Sequence, residues 1–249
     1  MKSIEKETFI CLDCETTGLD TANDKIIELA AMKFSFTENY SCFDTLVNPE
    51  CIIPQESQAI HNISQDMVLN KPTIDKVLPD FIKFVGSNII VGHGISFDIQ
   101  IISNIAMQNK IPCSLIENKL IDTLRLARLY GESPVNSLEI LRKHFNIEGD
   151  GAHRALNDVK VNIEVFKHLS KRFKDSKDIL NRLKKPILIK AMPLGKHKGR
   201  KFEDIPSEYL QWAAGKDFDQ DLLYSIRLEL KNRKKGASFQ QSGNPFQNL

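Results

Sequence analysis

The sequence predicts an α/β fold, with a mixed five-stranded sheet flanked by helices and a small basic α+β module after it. Two patterns in the order of elements support this: β-rich runs come first, and short apolar strands then alternate with helical patterns. A third observation is the change of charge along the chain. Residues 176–249 hold 15 Lys or Arg against 8 Asp or Glu, whereas residues 1–175 hold 19 against 24. An acidic front and a basic back predict two modules with different roles.

The chain starts with strands. Phe9–Leu12 are apolar or small and lead into Asp13, as in a buried strand. Two further β-rich runs, Lys25–Phe36 and Tyr40–Val47, are separated by only three residues, which predicts a hairpin. These three runs therefore predict an antiparallel start to the sheet.

Strands and helices alternate beyond this point. Short buried strands are predicted at Asn88–Val91 and Lys119–Asp122. Helices are predicted from apolar spacing and cap residues after Ser64, after Thr73, after Ser96, and at Thr123–Leu129, Ser137–Phe145 and Arg154–Phe173. Strands that are joined through helices run parallel, so we expect a mixed sheet with helices on both faces.

The charge change sets the expected domain boundaries. We expect a first domain at 1–175, a polar linker at 176–186, the basic module at 187–233 and a tail at 234–249. The tail is rich in Gly, Ser, Gln and Asn, which predicts disorder. The elements predicted in the module are two short strands and two helices: Ile187–Ile189, Arg200–Phe202, Pro206–Ala214 and Asp219–Lys231.

The cysteines and the lengths of the apolar runs indicate the cellular compartment. Five cysteines are an odd number without a framework spacing: Cys11, Cys14, Cys42, Cys51 and Cys113. Cys11 and Cys14 lie three apart in a strand, so they face opposite sides and cannot chelate one ion together. We expect core thiols in a reducing compartment. No apolar run is long enough for a membrane helix, so we expect a cytoplasmic protein without a membrane partner.

Two carboxylates interrupt the first strand. Asp13 and Glu15 are two residues apart, so they project to the same face about 7 Å apart along the chain. Like charges on a buried face repel, and a divalent cation held by oxygen ligands is the usual solution. The alternative is a strand end with two solvated acids. Gly18 follows, where the chain can turn sharply and backbone amides could meet a phosphate.

Further chemistry-bearing residues occur later in the chain. Asp98 lies in the first turn of a predicted helix, where a carboxylate is favoured by the helix dipole. Asp158 lies one turn inside the last long helix of the front domain, and His153 lies on the loop before it. That spacing suits a fixed metal ligand beside a base that must move.

Three motifs carry a family resemblance: Asp13-x-Glu15-Thr-Thr-Gly, Gly92-His-Gly-Ile-Ser-Phe-Asp98 and His153-Arg-Ala-x-x-Asp158. The chain over residues 8–173 resembles the DEDDh 3′-5′ exonucleases, which have a ribonuclease H-like fold and include the proofreading epsilon subunit of bacterial DNA polymerase III. The resemblance implies that Asp13, Glu15 and Asp158 hold two divalent metal ions, Mg²⁺ or Mn²⁺, with Asp98 acting directly or through water. It also implies that His153 is the general base.

The resemblance further implies contacts to the terminal nucleotide, namely from Thr16, Thr17, Leu19, Ile60, His61 and Phe97. One departure is Gly94, where the family usually has Asn, and a milder one is Asn62, where Gly is common. These changes put a substrate or structural hydrogen bond in question but not a metal ligand.

The basic module has a separate candidate interface. Seven basic residues and no acid lie between Lys184 and Lys201. We expect nucleic-acid contacts from Lys196, Lys198, Arg200 and Lys201. Tyr209 and Trp212 follow at helical spacing; they either stack on bases or form the core of the module, and core is favoured for Trp212.

Together these observations predict a metal-dependent 3′-5′ exonuclease that releases nucleoside monophosphates from DNA, in proofreading or repair. The implied partners are nucleic-acid 3′ ends, with single-stranded DNA favoured, and a DNA polymerase subunit. Two alternatives stay open: an RNA 3′-5′ exonuclease, and a catalytically silent binding or polymerase-assembly subunit.

Overall fold

The computed structural model describes residues 4–130, 136–148 and 153–242. The strands are β1 Phe9–Thr16, β2 Ile26–Phe34, β3 Asn39–Leu46, β4 Ile89–Gly92 and β5 Leu120–Asp122. The helices are α1 Gln55–His61, α2 Gln65–Val68, α3 Ile74–Val85, α4 Ser96–Gln108, α5 Thr123–Tyr130, α6 Leu138–His144, α7 Ala155–Ser170, α8 Ser176–Leu183, α9 Ser207–Ala213 and α10 Gln220–Ser242.

The strands form one mixed sheet with the order β3-β2-β1-β4-β5. β1 pairs antiparallel with β2, and β2 with β3, whereas β4 is parallel to both β1 and β5. This confirms the predicted mixed five-stranded sheet, including the antiparallel start. β1 is the central strand, so the carboxylates that it carries lie in the middle of the sheet rather than at an edge.

The two faces of β1 meet different helices. Phe9 packs against Phe166 of α7 with ring centroids 5.1 Å apart. Ile10, Leu12 and Cys14 belong instead to the buried cluster that contains residues of α3 and α4. Because strand side chains alternate, Asp13 and Glu15 share the face of Phe9 and point toward the side of α7.

A group of aromatic rings anchors α7 on the sheet. Phe166 is fully buried and also lies 5.9 Å from Phe34 and 5.8 Å from Phe36 between ring centroids. Edge-to-face packing of this kind adds stabilisation beyond the burial of apolar area. The position of α7, and therefore of the residues in its first turn, is fixed by this core.

Two helix starts differ slightly from the prediction. Ser96 is the first residue of α4, and Ile95 occupies the cap position. Arg154 is the N-cap residue of α7 rather than its first helical residue, so the loop that carries His153 extends up to the helix. Asp98 and Asp158 both lie in the first turns of their helices, as predicted.

The chain divides into two compact units. The first contains Met1–Leu126 and Ser137–Arg182, and the second contains Ala127–Asn136 and Leu183–Leu249. The segment predicted as a linker differs from the expectation, because α8 lies within it and buries Ile179. Arg128 belongs to the second unit, where its guanidinium bonds Asp219 at 2.9 Å and Asp221 at 3.1 Å.

The two strands predicted in the basic module are absent among the described residues. An isolated antiparallel bridge between Ala191 and Lys201 stands in their place. The backbone N–H of Ile187 donates to Asp221 Oδ1 at 3.0 Å, and that of Ile189 to Ser225 Oγ at 2.9 Å. Side chains of α10 thus take the hydrogen bonds that a neighbouring strand would have made. The helical part of the α+β prediction is confirmed by α9 and α10.

The tail also differs in part from the prediction. Helix α10 continues through Ser242, so the residues from Lys234 to Ser242 are helical rather than disordered. Lys, Gln and Ala in this stretch all favour helix, although its Gly and Ser do not. The rest of the predicted tail, 243–249, lies outside the described residues.

The cysteines fit the prediction only in part. Cys11 and Cys14 are buried, whereas Cys42 and Cys51 are exposed because they lie on the outer strand β3 and in a loop. The thiols of Cys11 and Cys14 face opposite sides of β1: the first accepts a bond from Asn162 of α7, and the second donates to Asp98 of α4. Within the described part of the chain, no helix has the length and apolar character to cross a membrane.

Candidate active site

Three carboxylates converge where β1 meets the start of α7. Asp13, Glu15 and Asp158 each offer an oxygen atom, and these oxygens all lie within 4.8 Å of one another. All three residues are half-buried. The sequence predicted this group, although 143 positions separate Glu15 from Asp158.

Glu28 fixes α7 over these carboxylates, and sequence reasoning missed it. It is directly opposite Glu15 in the β1–β2 register and is almost fully buried. Its carboxylate accepts bonds from Arg154 Nη2 at 2.6 Å and Nε at 3.1 Å, and from the backbone N–H of Ala155 at 2.9 Å. Glu28 therefore acts as a cap for α7 from another element. A lone acid inside the apolar run Lys25–Phe36 was the signal that could have identified it.

The carboxylates of this site have raised pKa values. Burial, together with the charges of Asp158 and Glu28, raises the pKa of Glu15 to about 8. Burial and then the charges of Asp98 and Glu15 raise the pKa of Asp13 well above its ordinary value, and burial also raises the pKa of Asp158. The charge of Arg154 lowers the pKa of Glu15, but this guanidinium is already paired with Glu28. The counter-charges that act on this group are thus the Arg154 guanidinium, which is shared with Glu28, and His153 beside Asp158.

This donor set fits a hard divalent cation. The converging ligand atoms are all carboxylate oxygens, which Mg²⁺ and Mn²⁺ prefer, and they are close enough to share an ion. A cation would supply the positive charge that the raised pKa values show to be missing. Asp13, Glu15 and Asp158 are therefore the residues that could hold a metal here.

Asp98 lies beside this group rather than within it. It is buried, and its Oδ1 accepts bonds from both the backbone N–H and the thiol of Cys14 at 3.1 Å. The β1–β4 ladder ends at Cys11, so the amide of Cys14 is available for Asp98. Burial raises the pKa of Asp98 to about 6 even though the Cys14 bonds oppose the rise. Asp98 Oδ1 is thus engaged by Cys14, and the predicted role of Asp98 toward the metal ions, direct or through water, stays a prediction.

His153 is exposed on the loop before α7, as predicted. Its φ of +64° lies in the left-handed region, which His adopts more readily than most non-glycine residues. The charge of His153 and hydrogen bonds from the backbone of His153 and Arg154 act to lower the pKa of Asp158. His153 is therefore a neighbour of the carboxylates with an imidazole that is accessible to solvent.

The predicted nucleotide-contacting threonines are tied into their own loop. Thr16 Oγ1 donates to the carbonyl of Gly18 at 2.6 Å, and Thr17 Oγ1 donates to Asp24 Oδ1 at 2.8 Å. A Cβ on Gly18 would lie 2.5 Å from a carboxylate oxygen of Asp24. A side chain at position 18 would therefore displace the Asp24 carboxylate, a constraint that the sequence-based explanation of a sharp turn did not include.

The other side chains that were predicted to contact the nucleotide differ in how far they are buried. Leu19 and Ile60 are strongly exposed apolar side chains, and Phe97 is partly buried against the core. His61 is 2% exposed and its Nδ1 accepts the N–H of Ile63, while its Nε2 has no hydrogen-bond partner among the described atoms. Glu28, Arg154 and His153 all influence the pKa of His61, which burial lowers. The imidazole therefore lies near the site with an unused donor.

The replacement of the usual Asn by Gly94 has a conformational reason. Gly94 has φ +73°, a region that Gly and Asn both adopt readily. Its backbone N–H donates to Asp122 Oδ1 at 3.0 Å. Glycine thus adopts the backbone conformation that is needed here, but it lacks the polar side chain that Asn would add.

The four basic residues predicted to contact nucleic acid differ in their surroundings within the second unit. Lys201 pairs with Glu203 at 3.4 Å, and Arg200 donates to the carbonyl of Asp204 at 2.9 Å. Lys196 and Lys198 are exposed on the turn around His197. Trp212, for which a core position was favoured, is instead 54% exposed, because Leu210 and Ala213 fill the core beneath α9.

Comparison with known proteins places this site in a family. A family model described as "Exonuclease" matches residues 10–166, which is more than half of the chain. The chain therefore belongs to this exonuclease family. A second model, described as "Putative quorum-sensing-regulated virulence factor", matches residues 180–229.

Two relatives are named as DNA polymerase III proteins. The chain is 36% identical over 160 residues to the DNA polymerase III subunit epsilon of Aquifex aeolicus, covering 64% of this chain and 78% of that protein. It is 37% identical over 174 residues to the PolC-type DNA polymerase III of Clostridium perfringens, covering 70% of this chain. That match spans only 12% of the length of PolC.

Solved structures agree with the fold. Exonuclease X in complex with 5′ overhanging duplex DNA has 25% identity and a TM-score of 0.56, covering 70% of this chain and 98% of that one. E. coli exonuclease I in complex with a dA16 oligonucleotide has a TM-score of 0.61 at 22% identity, covering 72% of this chain and 43% of that one. The predicted ribonuclease H-like exonuclease fold is thus confirmed.

Proposed function

We propose that this protein is a metal-dependent 3′-5′ exonuclease that hydrolyses DNA from the 3′ end and releases nucleoside monophosphates. The observation that carries the proposal is the convergence of the Asp13, Glu15 and Asp158 oxygens within 4.8 Å, beside an exposed histidine. The family model and the epsilon relative support the same activity.

Asp13, Glu15 and Asp158 would hold two divalent ions, Mg²⁺ or Mn²⁺, in this proposal. Such ions supply charge stabilisation for the attacking and leaving oxygens of a phosphodiester. The chain itself supplies a rigid set of oxygens, because β1 is central in the sheet and the Glu28–Arg154 pair holds the first turn of α7. His153 would accept the proton of the attacking water, since its imidazole is exposed on a loop next to Asp158.

The proposed substrate and partner rest on the relatives. Both solved structures described above are complexes with DNA by their titles, and the epsilon and PolC relatives are named as parts of DNA polymerase III. We therefore propose a DNA 3′ end as the substrate, with single-stranded DNA favoured, and a DNA polymerase subunit as a partner in proofreading or repair.

A digestion of labelled strands tests the proposal. DNA and RNA of equal sequence, labelled at the 5′ end, are incubated with the full chain with Mg²⁺ or with EDTA. We expect a ladder that shortens one nucleotide at a time from the 3′ end, with DNA shortened faster than RNA and no shortening in EDTA.

Asp13→Asn is the matched control, because it removes one charge while it keeps the size of the side chain. We expect this variant to fold and to leave the labelled strands intact. Metal-dependent shortening at the ordinary rate in the purified variant would contradict the proposed role of Asp13. Faster digestion of RNA than of DNA by the native chain would show that RNA is the preferred substrate.

A further inference from the structure

The second unit carries a row of three aromatic rings. His197, in the 3₁₀ turn Gly195–His197, lies 4.5 Å from Tyr209 between ring centroids. Tyr209 in turn lies 5.3 Å from Trp212. The rings therefore form a continuous line from the turn to the outer face of α9.

Trp212, the outermost ring of the row, is exposed to solvent. Trp212 is 54% exposed, whereas Leu210 and Ala213 on the same helix are fully buried in the core of the unit. Trp has a large apolar surface, and its exposure costs free energy unless a ligand covers it. Because the core beneath α9 is complete without the indole, packing within the described residues does not explain this side chain.

Lysines lie at both ends of the row. Lys216 Nζ lies 4.8 Å from the centre of the Trp212 ring. Lys196 and Lys198 flank His197 on a turn in which Gly195 has φ +73° and Gly199 has φ +83°. The hydroxyl of Tyr209 lies only 2.9 Å from the position that a Cβ on Gly195 would occupy. The turn is thus held against the aromatic row, with its lysines pointing into solvent.

The charge of the segment favours an anionic ligand. Residues 183–235 contain 13 Lys or Arg against 7 Asp or Glu. Two of those acids, Asp219 and Asp221, are paired with Arg128. The exposed acids Glu203, Asp204, Glu208 and Asp217 all lie after the turn in sequence. A ligand that combines flat apolar rings with regularly spaced negative charges would match both features of this surface.

We propose that Trp212 and the turn Gly195–Gly199 form a binding platform for single-stranded nucleic acid. A base stacks on the indole of Trp212, beside or in place of the Lys216 ammonium, while Lys196, Lys198 and Lys216 contact phosphates. The identity of the strand as the nuclease substrate rests on the proposed function. Binding itself does not, because it requires neither a metal nor hydrolysis.

The chain offers a direct spectroscopic probe, since Trp212 is its only tryptophan. The full chain in EDTA is titrated at low salt with an oligo(dT) strand of about 15 nucleotides, a length that fits one small binding surface. We expect saturable quenching of the tryptophan fluorescence, with an affinity that falls as salt increases. An abasic strand of the same length should bind more weakly and quench much less, and an oligo(U) strand compares RNA with DNA.

Variants separate stacking from charge. With labelled oligo(dT) followed by anisotropy, Trp212→Ala should weaken binding about tenfold, and Trp212→Phe should retain most of the affinity. Lys196→Gln combined with Lys198→Gln should reduce the slope of log K against log salt by about 1 to 2. Lys231→Gln combined with Lys234→Gln is the matched control, because both lysines are exposed on α10 of the same unit.

The outcomes distinguish this proposal from the proposed activity. Unchanged tryptophan fluorescence with oligo(dT), or equal affinity of Trp212→Ala and the native chain, would overturn the platform even if Mg²⁺-dependent digestion is normal. If the α10 control pair lost the same amount of salt dependence, the effect of the turn lysines would come from overall charge, and the platform would be overturned. Specific quenching without digestion would retain the platform and refute the exonuclease.

Discussion

Glu28 joins the two parts of the candidate site that are farthest apart in sequence. Its carboxylate lies opposite Glu15 on the neighbouring strand and binds Arg154 and Ala155 at the start of α7. It thus holds the segment between His153 and Asp158 without being one of the converging carboxylates. We regard Glu28 as a positioning residue.

Glu28→Gln should lower activity mainly through kcat. The amide keeps the size of the side chain but loses the charge-assisted bonds to Arg154, which are worth about 1.5–3 kcal/mol in comparable settings. We expect reduced stability and a lower kcat with a nearly unchanged KM for short oligonucleotides. Glu28→Asp should recover part of the activity. A large rise in KM with normal kcat would instead indicate a direct contact with the strand.

His153→Gln tests the base. An exposed side chain contributes little to stability, so the melting temperature should stay the same. Loss of general-base catalysis should lower kcat by about 10² to 10⁴. Binding of the DNA strand in EDTA is the control and should be unaffected. Activity within a factor of a few of the native chain would show that another group takes the proton.

The raised pKa of Glu15 predicts how stability depends on pH in the absence of metal. The ordinary pKa is 4.5 and the folded value is about 8, so the folded chain retains a proton that the unfolded chain has released. The free energy of unfolding in EDTA should therefore fall as pH rises from about 4.5 to about 8. Urea denaturation over this range measures the slope, which should be shallower for Glu15→Gln. An equal slope in the variant would contradict the raised pKa.

Single residues also show what sequence reasoning can and cannot supply. The resemblance of three motifs predicted Asp13, Glu15, His153 and Asp158 as one site, and the alternation of strand side chains explains why Asp13 and Glu15 share a face. The partner of Asp98 was not, because Cys14 meets it only where the β1–β4 ladder stops. A ladder end depends on strand register, which local sequence does not specify.

At the scale of elements, α7 positions the site through its aromatic core. Phe166 contacts Phe9 of β1, and Phe34 and Phe36 at the end of β2 and just after it. The apolar spacing that predicted a helix over Arg154–Phe173 agrees with the full burial of Phe166.

Phe166→Ala should destabilise the protein by about 3–5 kcal/mol, because a fully buried ring is replaced by a cavity. Since α7 also carries Asp158, activity should fall at temperatures below the unfolding transition. Urea denaturation measures the first effect, and Phe166→Leu is the control that should lose much less stability. A loss below 1 kcal/mol for the alanine variant would show that α7 is held mainly by other contacts.

The elements that differed from prediction share a cause. Ile187–Ile189 has the composition of a strand, yet its amides bind Asp221 and Ser225 of α10, more than 30 positions later. Side-chain acceptors at such a distance leave no local pattern. The β1–β2–β3 start was predictable because a short hairpin connection and strand composition lie within one stretch of chain.

At the scale of the whole molecule, the change of charge predicted two modules, and the structure contains two compact units. The boundary is less simple than predicted, since 127–136 group with the second unit. Arg128 ties this segment to the second unit through a buried ion pair with Asp221 and a partly exposed one with Asp219.

Metal should stabilise the folded chain as a whole. A ligand that binds only the folded state at 100 times its Kd adds about 2.7 kcal/mol to the free energy of unfolding. We expect the melting temperature to rise with Mg²⁺ and to return to its starting value on addition of EDTA. Asp13→Asn should show a much smaller rise, and an equal rise in this variant would place the ion elsewhere.

The pairing of Glu28 with Arg154 across 126 positions has a consequence during synthesis on the ribosome. A nascent chain that has emerged only as far as β5 already has Asp13, Glu15 and Asp98, but it lacks the helix that contributes the remaining acid and the loop that contributes the imidazole. In the proposed function, such an unfinished chain would lack one metal ligand and the general base, so we expect it to be inactive on nucleic acid near the ribosome. The catalytic group would be complete only once α7 has been translated and has packed on β1 and β2.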